Sequence, residues 1–174
     1  MKYKTIYESF LGKILLESDG KKITVIALEG QTYFKDKDND EIIEKDDLEI
    51  FQKTKNWLDR YFRKEKVDSK EIPLTFHGTP FQNLVWQELL EIPYGKVVTY
   101  KDIALKVAKK MQRKTMSSQA VGGAIGKNPI AILIPCHRVV GTNHSLTGYN
   151  GGVLKKQKLL ALESVDITSY SIPR

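Results

Sequence analysis

Apolar and polar residues alternate along the first third of the chain with the period of two expected of half-buried strands. The segments YKTIYES (3–9), GKILLES (12–18) and KKITVIALEG (21–30) each fit this pattern. Ser18-Asp19-Gly20 supplies turn chemistry for a hairpin between the second and third. The next stretch, KDKDNDEIIEKDD (35–47), is highly charged and reads as a loop. Asp46 or Asp47 can then cap a helix over roughly Leu48 to Arg63, where Leu48, Phe51, Leu58, Tyr61 and Phe62 approximate one apolar stripe. Residues 64–78 are polar and end in an extended connector, IPLTFHG. A domain boundary is expected near Gly78, giving an N-terminal α/β domain over 1–78 and a second domain over 79–174.

The period changes after Gly78. Thr79-Pro80 has the form of an N-cap followed by proline at the first helical position, and Phe81, Leu84, Val85 and Leu89 recur at helical spacing. Pro93-Tyr94-Gly95 ends this helix. Thr99 begins another, with Asp102 three residues on as in a capping box, and Ile103, Ala104 and Val107 form its apolar side. A polar connector, KKMQRKT, leads to Ser117 or Ser118, either of which can cap a third helix, QAVGGAIGK, that Asn128-Pro129 stops. Two short helices joined by a polar turn have the form of a helix-turn-helix. In the third helix Ala120, Gly122, Gly123, Ala124 and Gly126 leave little side-chain surface. Each glycine costs roughly 1 kcal/mol against alanine there. Either a neighbouring helix packs tightly against them, or a nucleic-acid backbone approaches closely.

Charge bears on the choice without deciding it. Residues 1–78 carry 15 Lys/Arg against 16 Asp/Glu, whereas residues 79–174 carry 13 against 5. Between Lys96 and Lys127 stand eight basic residues, Arg113 and Lys114 among them, and one acid, Asp102. A solvated basic surface would look like this, and so would a face that binds a polyanion.

The chain has one cysteine, Cys136, in ILIPCHRVV. One cysteine makes no internal disulfide and, with three histidines, no Cys-rich zinc site, so no metal is expected and a reducing, cytoplasmic setting is the simplest reading. No apolar run approaches a membrane span, and the N-terminal residues lack a signal-peptide pattern. A free cysteine is commonly a small core residue. Here it follows a proline at the end of a buried-strand candidate, IAILI, and precedes His137 and Arg138, polar residues that suit a core poorly. A thiol with an ordinary pKa is a few per cent ionised at pH 7 and needs a base or a nearby cation. His137 can serve directly only if the chain turns; otherwise a water must relay the proton. Glu163, which ends the helical segment KKQKLLALE, is a candidate to orient it.

These motifs carry a resemblance. PCHRVV, preceded by AVGGAIGKNP and followed by LTGYNGG and KKQKLLALE, closely resembles the O6-alkylguanine-DNA alkyltransferases, or methylated-DNA–protein-cysteine methyltransferases. The match runs from about Phe81, through FQNLVWQELLEIPYGKVVTY, to Glu163. It implies an α+β protein: an N-terminal three-stranded antiparallel sheet with a helix, ribonuclease H-like, then a helical, winged helix-turn-helix-like domain carrying the cysteine. It implies a monomer that binds double-stranded DNA through the minor groove, flips the alkylated guanine out, and transfers its alkyl group irreversibly to Cys136, once per molecule and without cofactor. In that scheme His137 takes the thiol proton through water, Glu163 orients His137, Tyr100 donates a proton toward guanine N3, and Asn128 is the hinge before the active-site segment. Lys156, Tyr149, Asn150, Val139 and Pro135 would line the pocket. Ser118, Gln119, Ala120, Gly122, Gly123, Arg113, Lys114, Arg138 and Thr99 would meet DNA.

Two departures from the family pattern stand out. Gln119 occupies the place of an arginine that fills the gap left by the flipped base. The connector AKKMQRKTMSS also looks long. Arg113 and Lys114 in it can supply phosphate contacts. A cysteine hydrolase would need an oxyanion signature beside Cys136, and none is present. A module that binds alkylated DNA without repairing it would have replaced the cysteine. Guanine against thymine lesions, and the range of alkyl groups, stay open.

Overall fold

Strand β1 (Lys2–Ser9) turns back antiparallel into β2 (Gly12–Ser18), which pairs antiparallel with β3 (Ile23–Leu28). The computed structural model describes residues 1–34, 41–146, 148–149 and 152–171. The β2–β3 turn forms as its residues demand: the Asp19 carboxylate accepts from the Lys21 and Lys22 amides, and Gly20 takes a positive φ. These two amide bonds lower the Asp19 pKa. A fourth strand, β4 (Ile42–Glu44), lies within the charged stretch read as a loop and runs parallel to β1, giving the order β3-β2-β1-β4. The sheet is therefore four-stranded, because Ile42 and Ile43 find a partner that local charge conceals.

Helix α1 (Glu49–Phe62) has Leu48 at its N-cap, with no side-chain cap. Asp46 is committed elsewhere, accepting from the Thr5 hydroxyl. The buried face of α1 includes Ile50, Thr54 and Trp57 besides Phe51, Leu58 and Tyr61. Helix α1 packs on β1 and β2, and Ile14, Leu16, Ile23, Ile26 and Leu28 of the sheet are all at most 1% exposed. Such burial is worth roughly 1.5–3 kcal/mol per large side chain.

In the second half, α2 (Pro80–Leu90) and α3 (Tyr100–Lys110) both begin with complete capping boxes, Thr79 with Gln82 and Thr99 with Asp102. Helix α3 ends on Gln112 at φ 55, with the Arg113 amide donating back to the Ala108 carbonyl, a Schellman-type close. Helix α4 (Ser118–Gly126) is capped by the Ser117 hydroxyl. Helix α4 packs on α2 and α3, burying Val121, Ala124 and Ile125. The Trp86 indole donates to the Ala124 carbonyl at 2.9 Å. A two-residue parallel ladder, β5 (Val98–Thr99) with β6 (Val139–Val140), was not foreseen from the sequence. Helix α5 (Val153–Leu162) follows.

The chain forms two compact units, Met1–Phe76 with Pro129–Leu133, and His77–Asn128 with Ile134–Arg174. The packing of residues 129–133 with the first unit is invisible to a linear boundary at Gly78. The segment IAILI is not a strand: Ile130 alone bridges to Ile26, and turns follow. The Leu133 amide donates to the Ala131 carbonyl around Ile132 at φ 69, an unusual value for a β-branched residue. The Cys136 amide donates to the Ile134 carbonyl around Pro135 (φ −81, ψ 64), an inverse γ-turn.

Replacing Trp86 with Phe removes the side-chain donor to the Ala124 carbonyl, which keeps the Lys127 amide at 3.1 Å. Urea denaturation should show a loss of about 0.5–1.5 kcal/mol; unchanged stability would mean that the Trp86–Ala124 bond contributes nothing.

Candidate active site

The inverse γ-turn at Pro135 feeds a 3-10 turn, Cys136–Arg138, closed by the Arg138 amide on the Pro135 carbonyl. The chain thus turns at the cysteine. Cys136 is 5% exposed, and its sulfur accepts from the Asn128 side-chain amide at 3.2 Å. That amide also donates to the Ile134 carbonyl at 2.8 Å, so Asn128 ties the end of α4 to the active turn. Burial pushes the thiol pKa up; the Asn128 bond and the Lys156 charge oppose it.

His137 and Arg138 are both buried, contrary to the expectation that polar neighbours would lie outside the core. The imidazole Nε2 lies 2.5 Å from Glu163 Oε2, while Nδ1 is buried with no hydrogen-bond partner among the described residues. Burial holds the His137 pKa below the ordinary value, outweighing the pull of Glu163. In the neutral ring, an Nε2–H that donates to Glu163 leaves the Nδ1 lone pair open. Burial alone would raise the Glu163 pKa, but His137 and Arg138 together hold it below the usual carboxylate range. Glu163, at the C-cap of α5, stays an anion.

Arg138 is not a DNA-facing residue. Its guanidinium donates to Glu163 Oε1 and to the Ile92 carbonyl, both at 2.7 Å, and the residue is 5% exposed. A buried cation beside a buried anion is the arrangement that makes both tolerable.

Lys156 is fully buried. Its ammonium donates to the Val139 carbonyl at 2.6 Å and lies 5.8 Å from the Tyr100 ring centroid. Burial lowers its pKa from 10.5 to about 8, with Cys136 opposing the fall. Tyr100 opens α3, and its hydroxyl fills the space where Gly148 (φ 81) would carry a Cβ, 2.5 Å away. Val139 and Pro135 are buried and shape the backbone, Val139 within the β5–β6 ladder and Pro135 in the γ-turn. Tyr149 is half-buried. Asn150 lies outside the described residues.

A groove of about 520 Å³ opens beside Tyr100, lined by Ser118, Gln119 and Gly122 of α4 and by Thr142 and Asn143 after β6. Ala120 and Gly123 are exposed on α4, and Arg113 and Lys114 on the connector before it. The Thr99 side chain is occupied as the α3 cap, accepting from the Asp102 amide. Thr142 and Asn143 were missed from the sequence; the polar run after Val139-Val140 was the available signal. Packing among the described residues does not explain the glycines of α4. A Cβ at Gly123 or Gly126 would meet nothing within 4 Å, and one at Gly122 would make ordinary contact with Tyr100 at 3.9 Å.

Comparison with known proteins identifies the family. Residues 80–165 match the family described as 6-O-methylguanine DNA methyltransferase, DNA binding domain, and residues 2–76 match the ribonuclease-like domain of the same family. A methylated-DNA–protein-cysteine methyltransferase of Haemophilus influenzae is 42% identical over 94% of this chain and 87% of its own length. One from Methanosarcina acetivorans is 39% identical over 92% and 97%. The crystal structure of Mycobacterium tuberculosis OGT in complex with DNA superposes with a TM-score of 0.80 at 32% identity, covering 96% of this chain and 98% of that one.

Iodoacetamide alkylation of Cys136, read by intact mass, should be at least about tenfold slower at pH 8 than in the urea-unfolded chain, whose thiol ionises near 8.5. Lys156→Met should move the alkylation onset to still higher pH, because a cation facing the thiol is lost. A downward move would mean that Lys156 does not stabilise the thiolate.

Proposed function

The chain belongs to the 6-O-methylguanine DNA methyltransferase family, and we propose that it repairs DNA by moving the alkyl group of O6-alkylguanine onto Cys136. The observation that carries this reading is the cysteine turn in which Asn128 bonds the Cys136 sulfur and the buried His137 meets the buried Glu163. In the proposed step the thiol proton passes through a water to His137 Nδ1. The sulfur then attacks the alkyl carbon, an S–C bond forms, and the C–O6 bond breaks. The electron pair leaves on guanine, which takes a proton at N3 from Tyr100. The imidazolium is stabilised by Glu163. Lys156 favours the thiolate electrostatically. The product thioether has no leaving group that water can displace readily, so each molecule acts once.

We assign the duplex to the α4 face. The bare surface of α4, the groove beside Gln119 and the exposed Arg113 and Lys114 all support it. The reading includes minor-groove entry, extrusion of the damaged base and action as a cytoplasmic monomer. Extrusion costs a few kcal/mol, less for a damaged pair. Gln119 lacks the charge, donor fork and stacking plane of arginine, so this protein holds the extruded base less firmly than an arginine-bearing relative.

Three outcomes test the reading. Cys136→Ala should abolish the one-methyl mass gain after incubation with O6-methylguanine duplex yet keep duplex binding; a persisting gain would overturn it. Arg113→Ala with Lys114→Ala should weaken binding to all duplexes alike and flatten its salt dependence, as loss of phosphate contacts requires. Gln119→Arg should speed duplex repair roughly tenfold, about 1.4 kcal/mol, and leave reaction with free O6-benzylguanine unchanged. Equal acceleration of both would place Gln119 in the pocket rather than in base extrusion.

A further inference from the structure

Glu163 is held by more than the relay needs. Its Oε2 accepts from His137, while Oε1 accepts both the Arg138 Nε at 2.7 Å and the Gly95 amide at 3.0 Å. The Arg138 guanidinium reaches on to the Ile92 carbonyl at 2.7 Å, and its carbon lies 5.9 Å from the Tyr94 ring centroid. The Tyr94 hydroxyl donates to the Leu162 carbonyl at 3.3 Å. Gly95 has φ 76, and a Cβ there would stand 3.2 Å from the Glu163 carbonyl oxygen. The Ile92–Gly95 turn, the cysteine turn and the end of α5 therefore meet on one carboxylate, which is 2% exposed.

We propose that Arg138, with the Ile92–Gly95 turn, is a positioning residue for the alkyl-transfer step: by occupying Oε1 it leaves only Oε2 for His137 and so fixes Nδ1 as the basic nitrogen. The inference rests on the His137 relay proposed above. A carboxylate offers about four acceptor sites. Left without Arg138 it could turn, or take the imidazole proton, and the ring could change tautomer. The charged and titratable groups around the ring are Glu163 from the end of α5, Lys156 from within α5, Arg138 and Cys136 from the same turn, and Tyr94 beyond Arg138. Arg138 and Lys156 oppose protonation of His137 and Glu163 favours it. Removing the Arg138 charge makes the ring easier to protonate, so the base is lost at a higher pH.

The test uses the whole protein and free O6-benzylguanine, which bypasses duplex binding. Arg138→Gln should move the acid limb of the pH–rate profile upward. The rate on the acid side should fall about tenfold for each pH unit that the limb moves. Arg138→Lys, which keeps the charge, should restore the limb. In the wild type, nitrogen NMR of the imidazoles should find His137 neutral at pH 7 with the proton on Nε2. An unmoved limb in Arg138→Gln overturns the proposal, as does a His137 proton on Nδ1. Should Arg138→Gln not fold, the wild-type tautomer decides alone. His137→Ala separates the two levels: unchanged rate and pH profile in that variant sink the relay itself, whereas loss of activity there with an unmoved limb in Arg138→Gln sinks only the role given to Arg138.

Discussion

The second unit is organised around one electrostatic constraint, the burial of the Glu163 carboxylate. An isolated carboxylate in such surroundings would take up a proton or unfold its site. Glu163 stays charged because His137, Arg138 and the Gly95 amide each direct a donor at it. Those donors come from two stretches of chain and the anion from a third, so satisfying one carboxylate fixes the cysteine turn, the turn after α2 and the end of α5 together. The β5–β6 ladder then ties the cysteine turn to the start of α3, and through it to Tyr100.

What the sequence made legible was local. The β2–β3 turn and the Thr99 capping box follow from side chains bonding their own neighbours, the Asn128-Pro129 stop from a proline that cannot continue a helix, and each appears in the fold. Elements made by distant pairing were hidden. Strand β4 forms on the edge that Lys2–Lys4 offer it, and the two residues Val98–Thr99 are too short a run to declare a strand until Val139 and Val140 pair with them. The site divides the same way. Cys136, His137 and Glu163 could be proposed from residue chemistry and motif. The DNA contact that the resemblance implied for Arg138 gives way to a buried one, because only the fold brings Glu163 and the Ile92 carbonyl to it. Lys156 was expected to line a pocket, yet it is sealed against the Val139 carbonyl.

Binding and chemistry draw on opposite kinds of surface. The chemistry lies in a shell where every charged group has a partner and little freedom. The α4 face is rich in small residues, and none of its glycines is demanded by a contact with the described residues. Backbone brought close to a ligand reads shape and phosphate position better than base identity, which suits a protein that must find a lesion in any sequence.

A lone thiol has a further consequence, one of ageing rather than repair. If an oxidant reaches Cys136 before an alkylated base does, the sulfenic acid formed has no second cysteine in this chain to resolve it as a disulfide. The acceptor would then wait on an external thiol, or climb to an irreversible acid and be spent without a lesion. The enclosure that leaves the sulfur 5% exposed and its pKa raised slows that loss, since oxidants attack the exposed thiolate. Deep burial of the cysteine thus lengthens the shelf life of a reagent that can be used once.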